Sequence, residues 1–194
     1  MGHREDLLDG AKRCLLEKGY ARTTARDIVA ASGTNLGSIG YHYGSTQALM
    51  NAAMLAAIEE WGDRVGAALT ADAAPGTDRL TGYWRRVIES FRADRELWIA
   101  SVEALIQSEH SPELRTQLAG GIRQGRRGMV ALLTGADEET VDDAATRSLG
   151  SVQMALLSGL MVQWLADPAH APSAEEVVAG LRALAAVVRD QDEA

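Results

Sequence analysis

Five consecutive positions near the N-terminus carry residues with the size and polarity needed to contact the edges of DNA bases. The small or polar residues among them are Thr34, Asn35, Gly37 and Ser38. A helix that enters the major groove must present side chains that are small or that hydrogen-bond base edges. The Asn35 amide could pair with adenine through two hydrogen bonds, Leu36 could touch a thymine methyl group, and Gly37 would let the backbone approach the bases.

Two residues just before this segment could hold the DNA backbone. Thr24 begins the sequence Thr-Ala-Arg-Asp, which resembles a helix capping box, and the free N–H groups at a helix N-terminus attract phosphate. Arg26 lies in the first turn of the same predicted helix, where its guanidinium could reach a base or a phosphate. The alternative is that Thr24 only caps the helix.

Three short helices are expected to position these residues. The first should end at Gly19, because glycine tolerates the positive φ of a helix C-terminus. The second is predicted between Thr24 and Gly33, and the third should start at Thr34 or Asn35. Two short helices joined by a glycine-containing turn are typical of a helix-turn-helix.

The remainder of the chain is also predicted to be helical, because apolar residues recur at helical spacing. A long helix capped by Ser45 or Thr46 should cover residues 47–69, with a linker at 73–77. Further helices are predicted at residues 79–93, 95–109, 112–133, 141–165 and 174–190. We therefore expect an all-α protein in which residues 1–50 form a three-helix helix-turn-helix domain and residues 51–194 form a larger helical bundle.

Composition is compatible with these expectations. The 194 residues are 46% hydrophobic and 24% charged, and the one cysteine, Cys14, suits a reducing cytoplasm. The net charge of −8 is uneven, since residues 1–50 sum to +1 and the remainder to −9. Because DNA affinity depends on the local field, a near-neutral N-terminal domain on an acidic body remains compatible with DNA binding. We expect no signal peptide and no apolar segment long enough to span a membrane.

Residues 7–50 resemble the DNA-binding domain of the TetR family of bacterial repressors. The matching segments are Gly19-Tyr20, Thr24–Ile28, Ala31–Gly33, Gly37–Ile39, Tyr41–Tyr43, Ser45 and Ala48-Leu49. The resemblance implies a homodimer that binds double-stranded operator DNA and takes a ligand in its larger domain. It also implies that Tyr41 and His42 touch phosphates or bases. Without it, Tyr41-His42-Tyr43 would be interpreted as a packing corner.

Two positions depart from the family pattern. The residue after Ser45 is usually a lysine that pairs with phosphate, and here it is Thr46, which we keep as a candidate contact. An aromatic residue is common where Gly40 lies. Both changes should weaken the grip on phosphate, leaving Lys12 or Arg22 to support the contacts named above, so the salt dependence of binding should be shallow for the family.

The larger domain contains bulky, polarizable side chains at helical spacing, which could line a small-molecule pocket between helices. The candidate lining residues are Trp84, Phe91, Trp98, Val102, Met129, Met154 and Trp164, with Glu103, Gln107 and Gln153 as polar anchors. The family resemblance implies such a pocket for a small apolar or amphipathic effector. The alternative is that these residues are simply core.

The last two long helices carry apolar stripes that suit a two-fold, four-helix dimer interface. The candidate interface residues are Leu149, Val152, Leu156, Leu160, Val177, Leu181, Leu184 and Val188. Small residues beside the first stripe would let helices approach closely. The alternative is that both stripes pack within one chain.

Enzyme function is not expected. The four histidines are scattered without metal-ligand spacing, and no phosphate-binding glycine loop or nucleophile motif occurs, so neither a metal site nor a cofactor is predicted. We expect a cytoplasmic repressor that binds a palindromic operator as a dimer and is released when a ligand shifts the helix over residues 47–69. The alternative is a helical protein-interaction or architectural DNA-binding module with no small-molecule effector.

Overall fold

The computed structural model describes residues 3–71 and 78–192, and the predicted linker at 73–77 lies outside them. The described chain is all-α and contains no strand, which confirms the predicted class. Its helices are α1 (His3–Lys18), α2 (Ala25–Ser32), α3 (Leu36–Tyr43), α4 (Thr46–Ala71), α5 (Arg79–Ala93), α6 (Arg95–Gln107), α7 (Pro112–Thr134), α8 (Asp143–Arg147), α9 (Leu149–Ala166) and α10 (Ala174–Asp192). Single 3₁₀ turns cover Ser108–His110 and Glu138–Thr140.

Local capping determines where α2, α3 and α4 begin. Thr24 and Asp27 form the predicted capping box of α2, and Gly33 ends that helix at a φ of 68°. Asn35, rather than Thr34, caps α3, since its side chain accepts the N–H of Ser38. Ser45, rather than Thr46, caps α4, because the Ser45 hydroxyl accepts the N–H of Ala48 at 3.0 Å.

The three N-terminal helices share a small apolar core. Leu7 and Leu15 of α1, Ile28 of α2 and Ile39 of α3 are buried. Gly10 makes the approach of α1 to α2 possible, because a Cβ there would lie only 2.7 Å from the Cβ of Ser32. This core fixes the angle between α2 and α3, and therefore the direction in which α3 projects its outer face.

The helix predicted at 141–165 is wrong as a single element. The chain breaks at Ser148, whose φ and ψ are −89° and −83°, into the short α8 and the longer α9. The hydroxyl of Ser148 donates to the carbonyl of Ala144 at 2.7 Å, which satisfies the end of α8 locally. Hydrophobic spacing continues across the break, so periodicity alone joined the two helices.

Packing divides the helices into two compact units. One comprises the residues up to Asp63 together with Asp94–Arg123, and the other comprises Arg64–Ala93 together with the residues from Gln124 onward. In the first, α6 packs on α1; in the second, α5 packs on α9 and α10. The boundary expected after residue 50 is a division by function and remains a prediction, which this division by packing does not test.

One apolar stretch departs from the expectation that no segment could span a membrane. Within Asp143–Ala166, an 18-residue window has a mean hydropathy of 1.4, and the stretch is long enough to cross a bilayer by length and composition alone. The core helix of a soluble protein passes the same criteria. The stretch is also interrupted at Ser148 and carries the charged residues Asp143 and Arg147 at its start.

Candidate nucleic-acid interface

The outer face of α3 exposes large side chains beside glycines. Tyr41 is 86% exposed and Leu36 is 54% exposed, whereas Ile39 faces the core. Gly40 has no neighbour within 4 Å of an added Cβ, so the surface between the exposed residues is open. Such a face presents an aromatic ring, an aliphatic group and bare backbone to a partner that fits a single helix.

The expected recognition of adenine by Asn35 competes with its role as the α3 cap, and it stays a prediction. Its Oδ1 atom accepts the N–H of Ser38 at 3.1 Å, and a base pairing through two hydrogen bonds would need that same oxygen. The amide N–H₂ group takes no part in the cap, and Oδ1 keeps one lone pair for a further donor. Gly37 protects this arrangement, because a Cβ there would lie 3.2 Å from the Asn35 oxygen.

Thr24 is committed to its helix cap. Its hydroxyl lies 2.6 Å from the Asp27 carboxylate and its N–H donates to the same group at 2.9 Å, while the N–H of Asp27 donates back to the hydroxyl. The ion pair with Lys18, followed by the hydrogen bonds from Thr24, holds the pKa of Asp27 well below its usual value. A phosphate contact through the Thr24 hydroxyl therefore requires a rearrangement. Thr34 is similarly engaged, at 2.7 Å from the Ser32 hydroxyl.

Several cations of this region are occupied by intramolecular partners. Lys12 pairs with Asp9 at 3.0 Å and with Glu60, so it would have to leave these carboxylates to contact phosphate. Arg13 donates to the carbonyl of Ala31. Arg22 and Arg26, by contrast, form no ion pair with any residue that the structure describes.

The Tyr-His-Tyr segment divides its work between packing and exposure. The hydroxyl of Tyr43 donates to the carbonyl of Arg4 at 2.9 Å, and the Arg4 guanidinium lies 5.3 Å from the centre of its ring. Tyr43 therefore ties the end of α3 to the start of α1. The rings of Tyr41 and His42 meet edge to face at 4.8 Å, which leaves Tyr41 projecting outward.

A buried polar network was missed by the sequence reasoning. The hydroxyl of Tyr20 donates to Asn51, and the Gln47 amide donates both to Tyr20 and to Asn51. Burial raises the pKa of Tyr20 to about 12. The only available signal was the spacing of Gln47 and Asn51, four residues apart on an otherwise apolar stretch of α4.

The ten predicted pocket residues fall in both compact units. Trp84, Phe91, Met129, Gln153, Met154 and Trp164 belong to the second unit, and all but the half-buried Met154 are buried. Trp98, Val102, Glu103 and Gln107 belong to the first unit. There Trp98 packs edge to face on Trp61 at 4.9 Å. The carboxylate of Glu103 accepts the N–H of Ala21 at 3.3 Å, and its role as a pocket anchor stays a prediction.

Two cavities occur within single units. The first, of about 380 Å³, is lined by Tyr20, Ala21, Thr23, Thr46, Gln47, Met50 and Gln107. The second, of about 350 Å³, is bordered by one face of α5, the segment after α9 and the start of α10. Of the predicted pocket residues, Gln107 lines the first and Trp164 the second, where Arg92 stacks 4.5 Å above its ring. Neither cavity collects the predicted set.

Part of the predicted dimer face is exposed in this structure, and one of its residues is buried. Val152, Leu184 and Val188 are 54%, 63% and 57% exposed. Leu160 is buried within its own chain and cannot face a partner. The remaining candidates, Leu149, Leu156, Val177 and Leu181, are half-buried. The prediction also missed two exposed valines, Val162 and Val187.

Comparison with known families identifies the chain. Bacterial regulatory proteins of the tetR family match residues 7–53, and the tetracyclin repressor-like C-terminal domain matches residues 75–187. The chain belongs to the TetR family. Proteins of this family are transcriptional regulators rather than enzymes, so the chain is a DNA-binding transcriptional regulator, in agreement with the prediction. This finding favours the regulator over the architectural module.

Two named relatives are similar to this chain over different lengths of sequence. The transcriptional repressor AcnR of Corynebacterium efficiens is 39% identical over 46 residues, which is 24% of either chain. The transcriptional regulator PksA of Bacillus subtilis is 24% identical over 168 residues, covering 85% of this chain and 80% of PksA. Only a quarter of the AcnR length is therefore matched by this chain.

Solved structures extend the similarity to the whole fold. The multidrug binding protein EbrR, crystallised with proflavin, superposes with a TM-score of 0.67 at 27% identity and covers 93% of this chain and 99% of its own. A transcriptional regulator from Rhodococcus reaches a TM-score of 0.73 at 22% identity, with 94% of both chains covered. At that identity the second similarity concerns the fold alone.

Proposed function

We propose that this TetR-family protein is a cytoplasmic repressor that binds a palindromic operator as a homodimer and is released by a small apolar or amphipathic effector. The observation that carries the proposal is the exposed face of α3, where Tyr41 and Leu36 project beside glycines at the end of a family-matched helix-turn-helix. Similarity to the repressor AcnR over 46 residues supports repression as the output.

The operator contacts follow from what the structure leaves available. We assign base contacts to the exposed α3 face, through Leu36, the backbone at Gly37 and the free amide N–H₂ of Asn35. Tyr41 and Arg26 are exposed and supply contacts to phosphate or to bases. The remaining candidates supply additional, weaker contacts with the operator. They are Thr24, Thr34, Ser38, His42 and Thr46.

Dimerisation is assigned to the exposed faces of α9 and α10. α9 contains no charged residue, yet Val152 and Val162 are exposed. Leu184, Val187 and Val188 extend the aliphatic surface on α10. A second copy of the chain would remove this apolar surface from water and would place two recognition helices about 34–36 Å apart, as successive major grooves require.

The interior of the second unit is assigned to the effector. Trp84 Nε1, Arg126 Nε and Gln153 Oε1 are buried and have no hydrogen-bond partner among the described residues. Unsatisfied buried donors and acceptors cost free energy, and a ligand with complementary groups would offset that cost. Similarity to EbrR, which was crystallised with proflavin, supports an effector about as large as proflavin. Binding is expected to shift α4, which begins beside the helix-turn-helix.

Fluorescence anisotropy on DNA selected from a random pool tests the proposal. Tyr41→Ala should weaken binding about 10-fold or more, since it removes the most exposed aromatic ring of α3. Ile106→Ala truncates another exposed apolar side chain, on α6, and should change affinity less than twofold. Failure to select any sequence with a folded dimer, or equal binding by Tyr41→Ala and wild type, would contradict the assignment of α3.

A further inference from the structure

The loop between α1 and α2 is held from outside the helix-turn-helix by one carboxylate. Glu103, on α6, accepts the N–H of Ala21 at 3.3 Å. The same carboxylate lies against Gly19, where a Cβ would come within 2.8 Å of Oε2. Gly19 also has a φ of +88°, which disfavours any other residue. The loop backbone is thus shaped to accept Glu103 at close range.

The opposite side of this loop is fixed by a different helix. Tyr20, next to Ala21, is buried and hydrogen-bonds Asn51 and Gln47 of α4. Within the loop, the hydroxyl of Thr23 donates to the carbonyl of Gly19 at 2.8 Å. Two successive loop residues are therefore held by different helices, Tyr20 by α4 and Ala21 by α6.

Close packing does not fill the space between these anchors. The cavity of about 380 Å³ lies here, with lining residues from the loop, from α4 and from α6. Close packing would fix the loop through many dispersion contacts, and a cavity removes them. The hydrogen bond from Ala21 to Glu103 is therefore a direct restraint that α6 exerts on the loop.

The loop leads directly into the residues that face DNA. Arg22 follows Ala21, Thr24 caps α2, and Arg26 lies in the first turn of that helix. Both arginines lack an ion pair among the described residues. A change in the position of Ala21 consequently changes the position of both cations and of the α2 N-terminus.

We propose that Glu103 is a positioning residue for DNA binding: by accepting the Ala21 N–H from α6, it sets the α1–α2 loop and with it the arginines that meet the operator. The inference uses DNA binding, which family membership shows, and does not depend on the proposed effector. The positioning role differs from the predicted role of Glu103 as a ligand anchor. If Glu103 only anchored a ligand, changing it would leave operator affinity in the absence of ligand unaffected.

Three full-length variants separate these roles. Glu103→Leu removes the acceptor, Glu103→Gln keeps a carbonyl oxygen that can accept the same N–H, and Glu96→Leu makes the same change at an exposed position of α6. Affinity for the selected operator should fall at least fivefold in Glu103→Leu and stay within twofold of wild type in the other two. Rescue by glutamine would distinguish the hydrogen bond from the charge.

Amide hydrogen exchange in the free protein provides the second readout. The Ala21 N–H should exchange at least fivefold faster in Glu103→Leu than in wild type or in Glu103→Gln. Unchanged exchange, or an operator affinity of Glu103→Leu within twofold of wild type, would overturn the proposal. If Glu103→Leu does not fold, wild type decides, because exchange of Ala21 at the unprotected rate would also overturn it. If no operator is selected, the exchange measurement still decides.

Discussion

The outer face of α3 and the outer faces of α9 and α10 both expose apolar side chains, but their surroundings differ. On α3, Tyr41 and Leu36 project beside glycines, and the polar groups that start the helix are occupied by its cap. On α9, Val152 and Val162 project from a helix of 18 residues without a single charge. The first surface is narrow and leaves backbone accessible, whereas the second is broad and aliphatic.

This difference indicates two kinds of partner. Binding to DNA releases counterions and uses hydrogen bonds, so it weakens as salt rises. Burial of aliphatic surface contributes about 25 cal/mol for each Å² removed from water and does not require charge. We therefore expect the α3 face to enter a nucleic-acid groove and the α9 and α10 faces to meet a second copy of the chain.

The largest expected effect comes from placing a charge on the aliphatic face. Val152→Glu should weaken self-association at least 100-fold, because a carboxylate must be buried against apolar side chains without a partner. Sedimentation equilibrium measures the dimer dissociation constant. Leu105→Glu, at a similarly exposed position of α6, is the control and should leave it within twofold. An unchanged dimer dissociation constant in Val152→Glu would show that the interface lies elsewhere.

Rising salt should weaken operator binding by about one to two orders of magnitude more than it weakens dimerisation. Between 50 and 200 mM salt, operator affinity should fall by about 10- to 100-fold, less than the roughly 10³-fold expected for six or more phosphate contacts. The dimer constant should change less than twofold over the same range. Anisotropy and sedimentation measure the two quantities. A dimer that dissociates with salt would contradict an aliphatic interface.

Loss of the α2 cap should have a smaller effect, on stability. Thr24→Ala should lower the free energy of unfolding by about 1 kcal/mol, the usual contribution of an N-cap, whereas Thr24→Ser should lose less. Urea unfolding measures both. The lowered pKa of Asp27 adds a pH dependence: its stabilisation is present above the ordinary carboxyl pKa and is lost as the pH falls through the lowered value. Equal stability of the alanine and serine variants would contradict the cap.

Alkaline pH should act on the buried tyrosine of the first unit. The pKa of Tyr20 is raised to about 12, so its contribution is complete below the unfolded value near 10 and is lost as the pH rises towards 12. At pH 11 wild type should have lost about 1 kcal/mol more than Tyr20→Phe, relative to pH 8. Thermal unfolding at the two pH values measures this. Parallel curves would mean that Tyr20 titrates normally.

The N-terminal helices could be predicted closely because their signals are local. Positive-φ glycines and the pair Thr24 and Asp27 define helix ends through contacts three or four residues long. The contact between Ala21 and Glu103 joins residues 82 apart, which no local pattern reveals. The capping role of Asn35 was foreseen because its contact with Ser38 is local, but the consequence of the cap for base pairing was not foreseen.

The prediction failed on α9 for a different reason. This helix is apolar on every face, so spacing could not distinguish the side that packs within the chain from the side that meets a partner. Leu160 was consequently placed at the interface although it is buried, and Val162 was missed although it is exposed. The packing of α5 on α9, together with the close approach of Gly150 to Arg126 of α7, decides between the two faces.

The stoichiometry and half-site preference of operator binding test the division between the two surfaces most directly. Native mass spectrometry and anisotropy would compare the selected duplex with a duplex containing one half-site. We predict two chains on the full duplex and at least 10-fold weaker binding to the half-site duplex. A single chain that binds both duplexes equally well would contradict it.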